Sequence, residues 1–279
     1  MALVESNKAK IAKRVIEVLE FFDEEHPQAT VMDIVRRFDR PQSSTSELLS
    51  SLVDLGLLHK DPCSRSYSPT PRAAMLGASV QPQLVRDGRL TDLIDRLSAQ
   101  TGLGVAVFGM VGLKTQVFTW RAGKRAFRTS GHAGFCGGQQ EHLSDSAVGR
   151  LLLSTVAQPR RDGMVRRLNA EASAERKFCF TDMSARVQQC REEGRTTGIV
   201  GFGSIADVSA VLLPDMPENQ PLAIGFVYEP SDQIDAANLM RTLDDAVSRC
   251  LNGNKASTAD TVQPLFDATW QPRQEQAHG

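Results

Sequence analysis

The 279-residue chain has no apolar run long enough to span a membrane, no cysteine pair in CxxC spacing and almost no net charge. The first absence excludes a transmembrane helix, which needs about 20 consecutive apolar residues. Met1 to Lys10 also lacks the apolar core of a signal peptide, so the chain is expected to be soluble and cytoplasmic, with no membrane partner. The cysteines (Cys63, Cys136, Cys179, Cys190 and Cys250) are odd in number and widely spaced. That argues against a disulfide framework and for reduced thiols. A formal charge of −1 means that no whole-chain field draws the protein onto a polyanion. Any such binding must rest on a local patch. What is present is ordinary for a globular protein: 41% hydrophobic and 23% charged residues, in a length sufficient for two domains.

The most organised stretch runs from Thr30 to Ser68. Thr30 is a candidate N-cap, and Val31, Ile34, Val35 and Phe38 recur on one helical face. Asp39-Arg40-Pro41 interrupts the pattern, because proline and the residue before it both disfavour helix. The helix restarts at Gln42, with Leu48, Leu49, Leu52, Val53 and Leu55 as its buried side and Gly56 as its stop. Leu57 to Lys60, a turn at Asp61 to Ser64, and Arg65 to Ser68 then form a two-stranded ribbon. Helix, turn, helix and wing is the order by which a protein places a small helix in a DNA major groove and a ribbon against the neighbouring backbone.

A first helix near Lys8 to Phe22 precedes this stretch, with Lys8, Lys10, Lys13 and Arg14 at its start. Downstream, short helical residues end at Gly77, and a helix is expected from Leu84 to Gln100, stopped by Gly102. Strands are expected at Gly104–Gly109, Thr115–Trp120, Val208–Leu213 and Leu222–Tyr228. A glycine-rich loop covers Gly131 to Gly138. Helices are expected at Ser144–Ser154, Pro159–Ala170, Thr181–Arg191 (with Thr181 as N-cap) and Ser231–Leu251. The residues beyond are polar and read as a flexible tail, despite Trp270. This is an α+β chain: an N-terminal head, then an antiparallel sheet with helices at both ends.

Several strings together resemble the IclR family of bacterial transcriptional regulators. They are Pro41–Leu52 (PQSSTSELLSSL), Leu55–Leu58 (LGLL), Tyr67–Arg72 (YSPTPR) with Leu76-Gly77, Leu143–Leu153 (LSDSAVGRLLL), Cys190–Arg195 (CREEGR) and Asp207–Pro214 (DVSAVLLP). Each is weak alone; their order and spacing carry the resemblance, from about Lys8 to Leu251. It implies a winged helix-turn-helix DNA-binding domain at residues 1–77, a helical linker at 78–102, a GAF-like effector-binding domain at 103–253 and a tail at 254–279. It also implies homodimers or homotetramers on double-stranded DNA. The chain departs from the family where Gln42, Ser46 and Glu47 replace basic residues, and where Asp207 replaces a glycine.

On this reading the helix start Gln42, Ser43, Ser44, Thr45, Ser46 and Glu47 faces DNA, through hydroxyls and freed backbone N–H groups. The same residues would equally cap a helix for local reasons. Arg36, Arg37 and Arg40 beside the turn, and Lys60 and Arg65 on the wing, are candidates for phosphate contact. Glu47 could accept from a cytosine amino group. In the C-terminal domain the helix opening at Ser144, Asp145 and Ser146 suits a ligand carboxylate, hence an organic-acid effector, although Asp145 competes for the same positive helix end. Phe108, Trp120, Phe135 and Cys136 would wall the pocket, with Ser209 and Asp207 from the closing strand. Ordinary core is the plainer account of the strand aromatics.

The function expected is operator binding at a palindromic site, modulated by a small molecule, with no enzymatic activity, cofactor or metal. Two alternatives stand beside it. One is a winged-helix module that binds protein instead of DNA. The other is an enzyme with an accessory head, built on Cys136 and His142 as nucleophile and base. His132, His142, Cys136 and Cys179 match no recognised metal spacing. Gly198 to Gly203 has the wrong glycine order for a dinucleotide loop.

Overall fold

The structure is a computed structural model and describes residues 7–23, 26–124, 135–230 and 234–257. The loop residues before Phe135, including His132, and the tail beyond Ser257 lie outside the described residues.

Five elements make the head: α1 (Asn7–Phe21), α2 (Val31–Phe38), α3 (Gln42–Asp54), β1 (Leu58–Lys60) and β2 (Tyr67–Pro69). Thr30 caps α2 in a full capping box, its hydroxyl and amide engaged with the Asp33 carboxylate. Those hydrogen bonds hold the Asp33 carboxyl below its ordinary range. Asp39 ends α2 in the left-handed region at φ 48°, a conformation that Asp tolerates better than most residues, and this makes the tight turn into Pro41 and α3. Val18 of α1, Ile34 of α2, and Leu49 and Leu52 of α3 share a core with Leu57, Leu58 and Tyr67. Ala29 and Tyr67 also exchange backbone hydrogen bonds at 3.0 and 2.8 Å, so the wing is tied to the chain entering α2.

Beyond the wing come α4 (Pro71–Met75), α5 (Gln83–Arg86) and α6 (Arg89–Thr101). The single helix expected from Leu84 to Gln100 is broken at Gly88, whose φ of 79° no continuous helix allows. Gly102 ends α6 as expected, at φ 70°.

The remainder is a six-stranded antiparallel sheet. Its strands are β3 (Gly104–Val111), β4 (Lys114–Arg121), β5 (Gln140–His142), β6 (Arg195–Ile199), β7 (Asp207–Leu212) and β8 (Leu222–Tyr228), in the spatial order β5-β4-β3-β8-β7-β6. Helices α7 (Ala147–Ser154), α8 (Arg160–Glu171) and α9 (Phe180–Glu193) cover one face; α6 and α10 (Ala236–Ser257) cover the other. The helices thus lie on both faces of the sheet, not only at its ends. Alternation along β3 sends Ala106 and Phe108 to the α7 side, and Val105 and Val107 to the α6 side.

Two strands were not expected. β5 has only three residues, all polar, and β6 is an edge strand alternating exposed with half-buried residues. Thr181 is not an N-cap: α9 begins one residue earlier, after Cys179, with no side-chain cap. Phe180 packs on the α7-side core with the Arg166 guanidinium 4.9 Å over its ring, and that contact overrides the local signal. The last helix starts later than expected and continues through residues 254–257, so those are helix and not tail.

Candidate nucleic-acid interface and effector site

The outward side of α3 carries Gln42, Ser43, Glu47, Ser50 and Ser51, all exposed, with Ser46 half-buried. No side chain caps the start of α3, which leaves its first-turn N–H groups available to an anion. Two of the expected contact residues spend their hydroxyls on the helix start, and one of them turns inward. Thr45 is buried and its hydroxyl donates to the Pro41 carbonyl at 2.9 Å; Ser44 donates to the same carbonyl at 3.2 Å. These hydroxyls serve the helix turn.

The basic residues also divide. Arg36 and Arg37 are exposed; Arg36 makes only a 3.9 Å pair with the half-exposed Asp33. Arg40 does not point outward. It pairs with Glu17 of α1 and lies 5.1 Å over the Phe38 ring, so it holds α1 against α2. On the wing, Lys60 rests 5.5 Å from the Tyr67 ring with its ammonium exposed. Arg65 is at the tip at φ 56°, beside a turn in which Asp61 accepts from the Cys63 amide and the Ser64 hydroxyl. Of the cations expected to meet phosphate, Arg36, Arg37, Lys60 and Arg65 are therefore the exposed ones.

In the sheet domain the structure brings three expected aromatics together and adds a fourth. The Phe135 ring meets Trp120 of β4 at 4.8 Å, Phe202 at 5.5 Å and Phe108 of β3 at 6.3 Å, each edge-on. Phe108 and Phe202 lie nearly parallel, 6.3 Å apart. Phe202 was missed because it sits in the glycine string between β6 and β7. Gly201, Phe202 and Gly203 there have consecutive φ values of 85°, 56° and 69°. A bulky residue in the left-handed region is a strained exception, and such strain concentrates at functional sites.

Glu141 of β5 holds that turn. Its Oε2 accepts from the Phe202 amide at 2.6 Å, and its carboxylate lies so close over Gly201 that a β-carbon there would come within 1.9 Å of Oε1. Oε1 is buried and finds no hydrogen-bond partner among the described residues; the same holds for the Thr115 hydroxyl, directly opposite on β4. Burial pushes the Glu141 carboxyl up to about 7, while the Phe202 amide and the Ser146 hydroxyl pull it back down. No periodicity marks a residue of this kind in a three-residue polar strand.

The α7 start differs from the expected carboxylate site. Ser146 is fully buried and spends its oxygen capping the Gly149 amide at 3.0 Å. Asp145 accepts from Arg176 at 2.6 Å and from the Ser144 hydroxyl at 2.9 Å. With Glu141 also beside Ser146, two protein carboxylates stand where a ligand's carboxylate was expected. Ser209 and Asp207 face away from the aromatics. Ser209 is buried on the α6 side with its hydroxyl 2.8 Å from that of Tyr228, and Asp207 is two residues earlier on the same face. Cys136 is half-buried; burial, then Glu20, pushes its thiol up, which is opposite to the activation a nucleophile needs. Among the described residues no group of three or more His, Cys, Asp or Glu could hold a metal ion, and no helix is long and apolar enough to cross a membrane.

A raised carboxyl makes stability depend on pH. Its ordinary value is 4.5, so the folded state holds the Glu141 proton more tightly than the unfolded chain does. The resulting support for folding is complete below about pH 4.5 and is lost as pH rises through about 7, a change on the order of 3 kcal/mol. Urea unfolding at pH 5 and pH 8 should show this decline in the native protein, and Glu141→Gln should abolish most of it. Parallel profiles for the two proteins would show that the carboxyl is not the source.

Comparison with known proteins follows this division. Residues 12–62 match the model of the IclR helix-turn-helix domain. The chain shares its fold with the crystal structure of IclR from Thermotoga maritima, at 13% identity and a TM-score of 0.52, over 89% of this chain and 98% of that one. It is also similar to an IclR homolog from Microbacterium hydrocarbonoxydans crystallised with 4-hydroxybenzoate, at 14% identity and a TM-score of 0.52, over 87% and 99% of the two chains. No curated protein sequence matches. The head is thus an IclR-type helix-turn-helix, and together with the shared fold it supports an IclR-family regulator.

Proposed function

We propose that this protein, with an IclR-type head on an antiparallel effector-type domain, is a cytoplasmic DNA-binding regulator whose grip on a palindromic operator is modulated by a small molecule. The observation that carries the reading is the head: an uncapped α3 start presented outward, flanked by four cations that other side chains leave exposed. Residues 1–77 act as this head, 78–102 as linker and 103–253 as effector domain. The relative crystallised with 4-hydroxybenzoate supports a small-molecule site in the effector domain.

One short helix reads too few base pairs for specificity, so two heads on a two-fold dimer, or a dimer of dimers, are required. An exposed apolar strip supports self-association: Met75, Leu76 and Val80 near the linker are 71%, 59% and 83% exposed. A contact within one chain supports such coupling. The turn after Phe135 faces α1, and a β-carbon built on Gly137 would come within 3.5 Å of Glu20 Oε1. A ligand that favours one arrangement of this contact over another shifts the heads; equal affinity for both would shift nothing.

The test is selection of genomic DNA fragments by the purified protein at low and moderate salt. Enrichment of a two-fold symmetric site, with affinity falling as salt rises, is the expected result. Absence of enrichment at either salt would turn the reading to a protein-binding head, which the exposed acidic Glu47 and Asp54 of α3 would suit.

A further inference from the structure

One apolar surface of the sheet domain is left open. It is a groove of about 420 Å³ between the segment leading into α6 and the β3–β4 hairpin, and none of its lining residues carries a charge. The helical segment contributes Pro82, Val85 and Leu90, and the sheet contributes Val111, Phe118 and Leu222. Phe118 is brought there by a break in register. Val107 faces Thr119 and Phe108 faces Val117 across the β3–β4 pair, so Phe118 is the extra residue of a bulge. Bulges re-aim side chains. This one lays the Phe118 ring over Gly109, where a β-carbon would come within 2.4 Å of its Cζ. Among the described residues nothing closes the groove, and Phe118 and Val111 stay 46% and 44% exposed.

The C-terminal part of α10 reaches the same region. The Arg89 guanidinium donates to the Cys250 carbonyl at 3.0 Å, so α10 passes the first residue of α6, next to Leu90 of the groove. From there α10 runs seven residues further to Ser257, the last described residue, which is about 10 Å of helix. Beyond Ser257 the large apolar side chains are Val262, Leu265, Phe266 and Trp270, and they fall within nine residues that hold one charge, Asp267. The five peptide units from Ser257 to Val262 span up to about 17 Å, more than α10 travels past Arg89. The segment therefore has the reach to return to the groove. Bulky aromatics in a polar stretch gain from burial, and an uncharged apolar groove offers it. A tether this short also gives the segment an effective concentration of millimolar order at its own domain, against which a second copy in dilute solution competes poorly.

We infer that residues 262–270 dock in this groove of their own chain, with their aromatic side chains against Phe118. The contact straps the end of the chain across the linker and the sheet together, holding residues 82–90 to the β3–β4 hairpin.

The experiment measures acrylamide quenching of Trp270 in the full chain. Because Trp120 also emits, the signal is the difference between each protein and its Trp270→Tyr counterpart. Trp270 should be quenched about five-fold less than the tryptophan of a synthetic peptide of residues 261–271, since a segment tethered at millimolar effective concentration is docked most of the time. Phe118→Asp changes a half-exposed position, puts a charge in the groove and should raise quenching to the level of the peptide. Val111→Asp serves in its place where that variant does not fold. Quenching of the native protein equal to that of the peptide would overturn the inference. Protection that survives the substitution in a folded variant would overturn it too, by placing the segment elsewhere. Protection that fades on dilution would give the groove to a second copy and sink the intrachain contact. No DNA enters the measurement, so its failure leaves the regulator reading standing.

Discussion

Replacing Arg36 and Arg37 together by alanine is expected to lower operator affinity by ten- to a hundred-fold at low salt, with little effect on folding. Both side chains are exposed at the C-terminal end of α2, beside the turn into α3. Their local contacts are slight: Arg36 stands 3.9 Å from Asp33, and Arg37 is 5.9 Å from the Phe38 ring. Exposed substitutions of this kind usually change stability by no more than about 0.5 kcal/mol. The DNA effect is larger because each phosphate contact releases counterions. On the dimeric reading proposed above, two heads losing two contacts each should reduce the slope of log affinity against log salt by about 3 to 4. The loss should be nearly the same on specific and non-specific DNA, since phosphate contacts position the protein without reading sequence. Filter binding across a salt series checks all three points. An unchanged salt slope would mean that the head meets DNA by another face.

The second large effect concerns folding. Gly149→Ala should destabilise the protein by about 1–3 kcal/mol, the usual range for forcing an extra carbon into a packed core. Gly149 lies in α7, where an added β-carbon would come within 2.3 Å of the Leu143 carbonyl oxygen and 2.7 Å of the Thr115 hydroxyl. Neither neighbour can yield. Leu143 and Thr115 are fully buried, and the first contact is with backbone. The glycine lets α7 approach the β4–β5 edge closely enough for Ser146 and Glu141 to meet. Gly163→Ala is the contrast: it is also helical, but nothing lies within 4 Å of its added carbon. There the better helix propensity of alanine should stabilise the protein by about 0.5–1 kcal/mol. Thermal melts of the two variants should therefore move in opposite directions. A melt of Gly149→Ala equal to that of the native protein would mean that α7 can be shifted at no cost.

The head was legible because its signals are local. Thr30 with Asp33, the Asp39–Pro41 interruption and the apolar positions of α3 each specify an element within four residues, and all agree with one another. The sheet domain was legible in its long buried strands and less so elsewhere. β6 lies at an edge with little apolar content, and β5 is too short to show a period. Ser209 illustrates a different failure. Its strand was expected, but residue type suggested a pocket role, whereas alternation with Val208 and Ala210 already assigns it to the other face. Glu141 and Phe202 are separated by 60 residues of chain and meet only through the sheet and the turn after β6. Such a contact leaves no trace in spacing. What marks it in the sequence is a conflict with local rules: an acid entering a core, and a bulky residue between glycines.

The hydrogen-bonded bridge between Ala29 and Tyr67 bears on how an operator is chosen. It fastens the wing to the segment that enters α2, while Tyr67 is buried in the same small core as Leu49 and Leu52 of α3. Wing and recognition helix are therefore a single casting, and the distance between them is fixed before DNA arrives. A head of this kind has little means of adapting its reach to a groove that is too wide or too narrow; the adaptation falls to the DNA. Duplexes that yield easily, through pyrimidine–purine steps, or that already have the required groove width, should be favoured at positions the protein never touches.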